Sequence, residues 1–162
     1  MRAFGILLFI AIALAGGKPV VLHAQDRPDY GIDTARHLSS GCDAQPVYAY
    51  FQVKGKYPES SQSLAGRAEA RLSGHKIYGD ANGYVTFQVL IDCKGKLAGV
   101  KLLQTNRRYE PCFFPKELVD ELYAFLLSLK SWKPATAAGR PVNYKGYLSF
   151  KLEGGHVVQV SP

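Results

Sequence analysis

From Gly83 to Asp92 the chain alternates. Val85, Phe87, Val89 and Ile91 share one face, and Tyr84, Thr86, Gln88 and Asp92 the other, with Leu90 the exception. A period of two predicts a half-buried strand. Asp92-Cys93-Lys94-Gly95 is a turn signal, with glycine where a positive φ is expected. Lys96 to Gln104 then returns with Ala98, Val100 and Leu102 on one face, so the pair predicts a hairpin. Val142 to Leu152 alternates again. Tyr144, Gly146, Leu148, Phe150 and Leu152 face one way, and Asn143, Lys145, Tyr147, Ser149 and Lys151 the other.

Two stretches follow a helical period. Ser60 to Ser73 places Leu64, Ala68 and Leu72 at i, i+4 and i+8, and Gly74 supplies a stop. Pro115 to Leu129 carries the wider stripe, Leu118, Leu122, Phe125, Leu126 and Leu129. Acidic residues lie near its start and Lys130 beyond its end. Pro46 to Val53 is apolar and aromatic, and fits a strand or a short helix before Lys54 to Pro58 breaks it. The order helix, strand, strand, helix, strand predicts an α+β two-layer sandwich: a three-stranded antiparallel sheet with two helices on one face.

The N-terminus changes how the charge is read. One arginine, an apolar run from Ala3 to Ala15 and small residues beyond have the layout of a secretory signal peptide. Cleavage after Ala24 predicts three regions: signal peptide 1–24, flexible arm 25–41, and folded domain 42–162. Loss of Arg2 and Lys18 takes the excess of 20 basic over 13 acidic residues from +7 to +5. That modest charge on an exported, periplasmic or secreted chain does not point to nucleic acid. Membrane contact is expected only if the N-terminal segment stays uncleaved.

Catalytic motifs are sparse. His23, His37, His75 and His156 lie far apart, without metal-ligand spacing, and no G-x-S-x-G elbow or Gly-rich phosphate loop occurs. No catalytic residue, metal site or cofactor is expected. A secreted hydrolase or thiol enzyme is the alternative, and Cys42, Cys93 and Cys112 would suit the latter, but a disulfide is the commoner use of cysteine in an exported chain. A bridge from Cys42 to one of the other two is favoured, because the returning strand carries Cys112 away from Cys93. Lys94, Lys96, Lys101, Arg107 and Arg108, with Tyr109 adjacent, read either as a solvated hairpin edge or as a contact for acidic envelope glycan or lipopolysaccharide.

Several short motifs follow one another in order: Tyr57-Pro58, Gly83-Tyr-Val-Thr-Phe, Asp92-Cys-Lys-Gly95, Ser131-Trp-Lys-Pro-Ala135, Gly139-Arg-Pro-Val142 and Tyr147-Leu-Ser-Phe150. Over about residues 57–153 the chain resembles the C-terminal domain of TonB-type energy transducers. The resemblance implies that Gly83, Gly95, Trp132, Pro134, Gly139 and Phe150 shape the fold. It also implies a non-enzymatic domain that recognises a short extended peptide, as on an outer-membrane receptor, by adding it as a strand beside Val142 to Lys151. The edge residues would be Asn143, Tyr144, Lys145, Tyr147 and Ser149. The long Pro-rich spacer of full transducers has no counterpart in the arm.

Overall fold

A computed structural model describes Ile32 and residues 37–55, 57–72 and 78–162. The expected signal peptide lies outside the described residues, as does most of the arm. In chain order the elements are β1 (Val47–Ala49), α1 (Tyr50–Val53), α2 (Ser61–Leu72), β2 (Gly83–Ile91), β3 (Leu97–Thr105), α3 (Lys116–Ser128), β4 (Ala135–Ala137), β5 (Arg140–Glu153) and β6 (His156–Ser161).

β2 and β3 form the expected hairpin, antiparallel from Tyr84↔Thr105 to Val89↔Val100, with a register shift at Leu90/Ile91. β5 runs antiparallel along the other side of β2, from Gly83↔Leu152 to Ile91↔Tyr144. Three further strands then join β5. β1 pairs in parallel with Asn143 to Lys145, β4 folds back on Arg140 to Val142, and β6 pairs antiparallel with Ser149 to Glu153.

The three-stranded antiparallel sheet with two helices is therefore corrected to a six-stranded mixed sheet with three helices, still α+β. The added strands escape pattern reading for physical reasons. β1 and β4 are three residues each, too short to show a period. In β6 the buried residues Val157 and Val160 are three apart, because a bulge opposite Lys151/Leu152 breaks the alternation.

The core lies between one sheet face and the helices. α2 buries Leu64, Ala68 and Leu72, as the spacing predicts, and the Ser60 hydroxyl accepts the Ser63 N–H at its start (3.2 Å). α3 buries Leu118, Val119, Leu122, Phe125 and Leu126. Phe125 meets the edge of Phe150 at 5.8 Å, and Phe87 meets it at 5.9 Å. Each such side chain removed from water stabilises the fold by roughly 1.5–3 kcal/mol. The opposite sheet face carries Tyr84, Thr86, Gln88, Tyr147, Ser149 and several lysines, and neither α2 nor α3 covers it.

Cys42 and Cys93 form a disulfide with Cα atoms 5.5 Å apart, joining the segment before β1 to the β2–β3 turn. Such a bond fits a chain that folds in an oxidising compartment. Cys112 is the free thiol. Of the arm, Ile32 is buried in the core and the His37 N–H donates to the Ala98 carbonyl at 2.8 Å. Among the described residues no helix is long and apolar enough to cross a membrane.

Candidate functional site

The backbone hydrogen bonds decide what the β5 edge can offer. In an antiparallel pair a residue's N–H and C=O point to the same neighbour, and that direction alternates along the strand. The Gln104 carbonyl accepts the Cys112 N–H at 3.3 Å, so Gln104 faces away from β2. Through the β2–β3 register, Thr86 and Gln88 face β3 while Phe87 and Val89 face β5. The β2–β5 register then turns Gly146 and Leu148 toward β2, and Lys145, Tyr147 and Ser149 toward the far edge.

That far edge is mostly occupied. β1 covers it at Asn143 to Lys145, and β6 covers it from Ser149 onward. Between them stands Tyr147, whose backbone N–H and C=O have no partner among the described residues. A pocket of about 280 Å³ opens there, lined by Tyr50, Gly55, Trp132, Tyr147, Ser161 and Pro162 among others. The Tyr147 ring is 40 % exposed, meets the edge of Tyr50 at 6.1 Å, and its hydroxyl accepts the Gln88 amide at 2.9 Å. Phe51 is 71 % exposed and packs edge-on against Tyr50 at 5.6 Å. Tyr50 thus stands beside the unpaired backbone, with Phe51 packed against its ring.

The other expected edge residues divide. Lys145 and Ser149 are half-buried on the outer sheet face, where the Ser149 and Thr86 hydroxyls lie 2.8 Å apart. Asn143 and Tyr144 are fully buried. Asn143 Oδ1 accepts the Cys93 N–H at 2.8 Å, and its Nδ2 donates to the carbonyls of Cys42 (2.7 Å) and Gln45 (3.1 Å). The Tyr144 hydroxyl donates to the Lys133 carbonyl at 3.1 Å, and burial pushes its pKa up to about 12. These two side chains hold the strand in place and do not reach the pocket mouth.

The residues quoted for their shape sit at turns and in the core. Gly95 has φ 77°, and a Cβ there would come within 2.8 Å of the Trp132 carbonyl. Gly83 leaves room for the Thr105 backbone, and Gly139 takes φ 77° in the β4–β5 turn. Trp132 is buried edge-on against Tyr57 at 4.9 Å, Pro134 packs at Gly95, and Phe150 is fully buried.

Asp92, like Asn143, is a buried polar group whose role the alternation did not reveal. Its Oδ1 accepts the N–H groups of Lys94 and Lys96 at 2.9 Å each, and its Oδ2 accepts that of Ser39 at 3.1 Å. Burial acts to raise its pKa, but bonds from Ser39, Lys96 and Lys94 outweigh this and hold it below the ordinary value. The aspartate opening a D-x-x-G turn was the available signal.

Cys112 lies beside a second pocket of about 440 Å³, next to Phe113 and Phe114. Burial raises its pKa, which keeps the thiol protonated near neutral pH. Among the described residues, no three side chains of His, Cys, Asp or Glu converge as a metal set would.

No protein-family model matches the chain, and neither does any curated protein or solved structure. The fold and the edge define an α+β domain whose long strand, among the described residues, is flanked on both sides except around Tyr147.

Proposed function

We propose that the chain is an exported, non-enzymatic interaction domain that holds a short extended peptide at Tyr147. The reading keeps the resemblance to TonB-type C-terminal domains, with a segment of an outer-membrane receptor as the natural kind of partner. The observation that carries it is the unpaired N–H and C=O of Tyr147, set in a pocket between β1 and β6. The middle residue of an extended tripeptide would exchange two hydrogen bonds with Tyr147, each worth about 1 kcal/mol net. An aromatic or aliphatic neighbour in the peptide would pack on Tyr50. A longer strand would have to displace β1, which has three residues with Val47 41 % exposed.

Tyr147→Pro tests this directly. The lost N–H faces the open edge, so no ladder bond to β2 is removed, and proline is tolerated at such edge positions. Wild type and variant are used to capture partners from an envelope fraction, and exchange of the Tyr147 amide is followed in the captured complex. A partner retained by wild type and lost with Tyr147→Pro, together with slowed exchange at Tyr147, is the expected result. Equal capture by both, with unchanged exchange, overturns the reading.

A further inference from the structure

The uncovered sheet face carries a second arrangement, built on side chains rather than on the Tyr147 backbone. Its rows are set by register. Thr105, Tyr84 and Lys151 lie abreast, then Leu103, Thr86 and Ser149, then Lys101, Gln88 and Tyr147, then Gly99, Leu90 and Lys145. Charge is segregated across the sheet. Glu59, Glu69, Glu117, Asp120 and Glu121 belong to the helical layer, where Arg67, Arg71 and Lys116 pair with three of them. On the open face Lys151 is paired with Glu153 at 2.8 Å. Lys101 and Lys145 have no ion-pair partner among the described residues. They flank a shallow depression of about 170 Å³ over Leu90 and Gly99, and no carboxylate lines it.

At the other end of the face, Tyr84 and Tyr109 stack with centroids 5.1 Å apart and planes 13° from parallel. Tyr109 is 71 % exposed and takes φ 61°, which costs a non-glycine residue free energy. The turn holds it there: Asn106 Oδ1 accepts the N–H groups of Arg108 (2.8 Å) and Glu110 (3.1 Å), and the Asn106 carbonyl accepts that of Tyr109 (3.0 Å). The tyrosine pair stands four strand residues from the Lys101 row, roughly 13 Å at about 3.3 Å per residue. Hydroxyl and amide groups of Thr86, Ser149 and Gln88 line the distance between.

We infer that this face binds an acidic polysaccharide. The tyrosine pair offers a flat surface for a sugar ring, the hydroxyls and amide meet ring hydroxyls, and Lys101 with Lys145 receives carboxylates or phosphates. A lipid surface fits less well, because hydroxyl and amide groups of Thr86, Ser149 and Gln88 occupy the middle of the face.

The test uses the full chain with polygalacturonate (carboxylates), phosphomannan (phosphates), neutral dextran and vesicles containing phosphatidylglycerol. Binding to at least one acidic polysaccharide and not to dextran is expected. Lys101→Gln/Lys145→Gln should weaken it about tenfold, and Tyr109→Ala about threefold. Lys116→Gln/Lys130→Gln, at the start of α3 and just beyond its end, removes the same charge and should change it less than twofold. Equal loss from the two lysine pairs would mean attraction by net charge alone and would overturn the site. So would binding indifferent to Tyr109→Ala, failure on both acidic polysaccharides, or tighter binding to the vesicles.

Discussion

Asn143 Nδ2 donates to the Cys42 carbonyl at 2.7 Å, across 101 residues of sequence. With its bonds to Gln45 and Cys93, this one buried amide ties β5 to both halves of the disulfide. A side chain that alternation assigns to the outer face is thus interior, because the segment before β1 folds over that end of the sheet.

Asn143→Leu should therefore destabilise the domain by about 2–4 kcal/mol, since it removes three hydrogen bonds and takes this partner from the Gln45 carbonyl and the Cys93 N–H, while the Cys42 carbonyl keeps the Gln45 N–H. Urea unfolding measures this. A loss below about 1 kcal/mol would show that water replaces the amide at little cost.

The disulfide closes a separation of 51 residues. Loop-closure entropy for that length gives about 4 kcal/mol as an upper value. Cys42→Ser/Cys93→Ser should lower the urea midpoint accordingly. It should also expose β1, seen as amide exchange from Val47 to Ala49 that rises more than the exchange of α3, whose increase reports the lower global stability alone.

Asp92 predicts an acid limb. Its folded pKa lies below the ordinary 3.8, so the native state binds fewer protons there than the unfolded chain. The contribution is complete above the unfolded value and disappears as pH falls through the folded one. Unfolding free energy should decline below about pH 4. Asp92→Asn should flatten that decline and cost about 1–3 kcal/mol at pH 7, because Asn cannot accept all three N–H bonds. An unaltered acid limb in the variant would count against Asp92 as its source.

Gly95→Ala should cost more than an exposed turn substitution. The position needs φ 77° and has no space for a methyl group beside the Trp132 carbonyl. Gly139→Ala shares φ 77° but meets nothing within 4 Å. Thermal melts should place Gly139→Ala about 1 kcal/mol below wild type and Gly95→Ala clearly lower. Equal losses would assign the whole cost to φ.

The hairpin, α3 and the long strand were legible because each buries one face against a single partner layer, which writes a clean period into the chain. Leu118, Leu122, Phe125, Leu126 and Leu129 are all buried as the stripe predicts. Val119 joins them, and a stripe of fixed spacing omits it. The Cys42 bridge was legible from reach, although its choice of Cys93 needed the packing of Ser39 and Asn143 around the turn. β6 was hidden by its bulge, and β1 by its length. The narrowing of the candidate edge to Tyr147 followed from those two strands, so no reading of β5 alone could have found it.

The gap that the described strands leave at Tyr147 also bears on how copies of the chain meet. A fully bare β5 would present a template along which another molecule's strand could zip, and sheets so exposed grow end on end. With β1 and β6 occupying the flanks, two molecules meeting at this edge can share at most one residue's pair of bonds. The same two short strands that leave a notch for a small guest deny β5 as a seam for self-assembly in a crowded compartment.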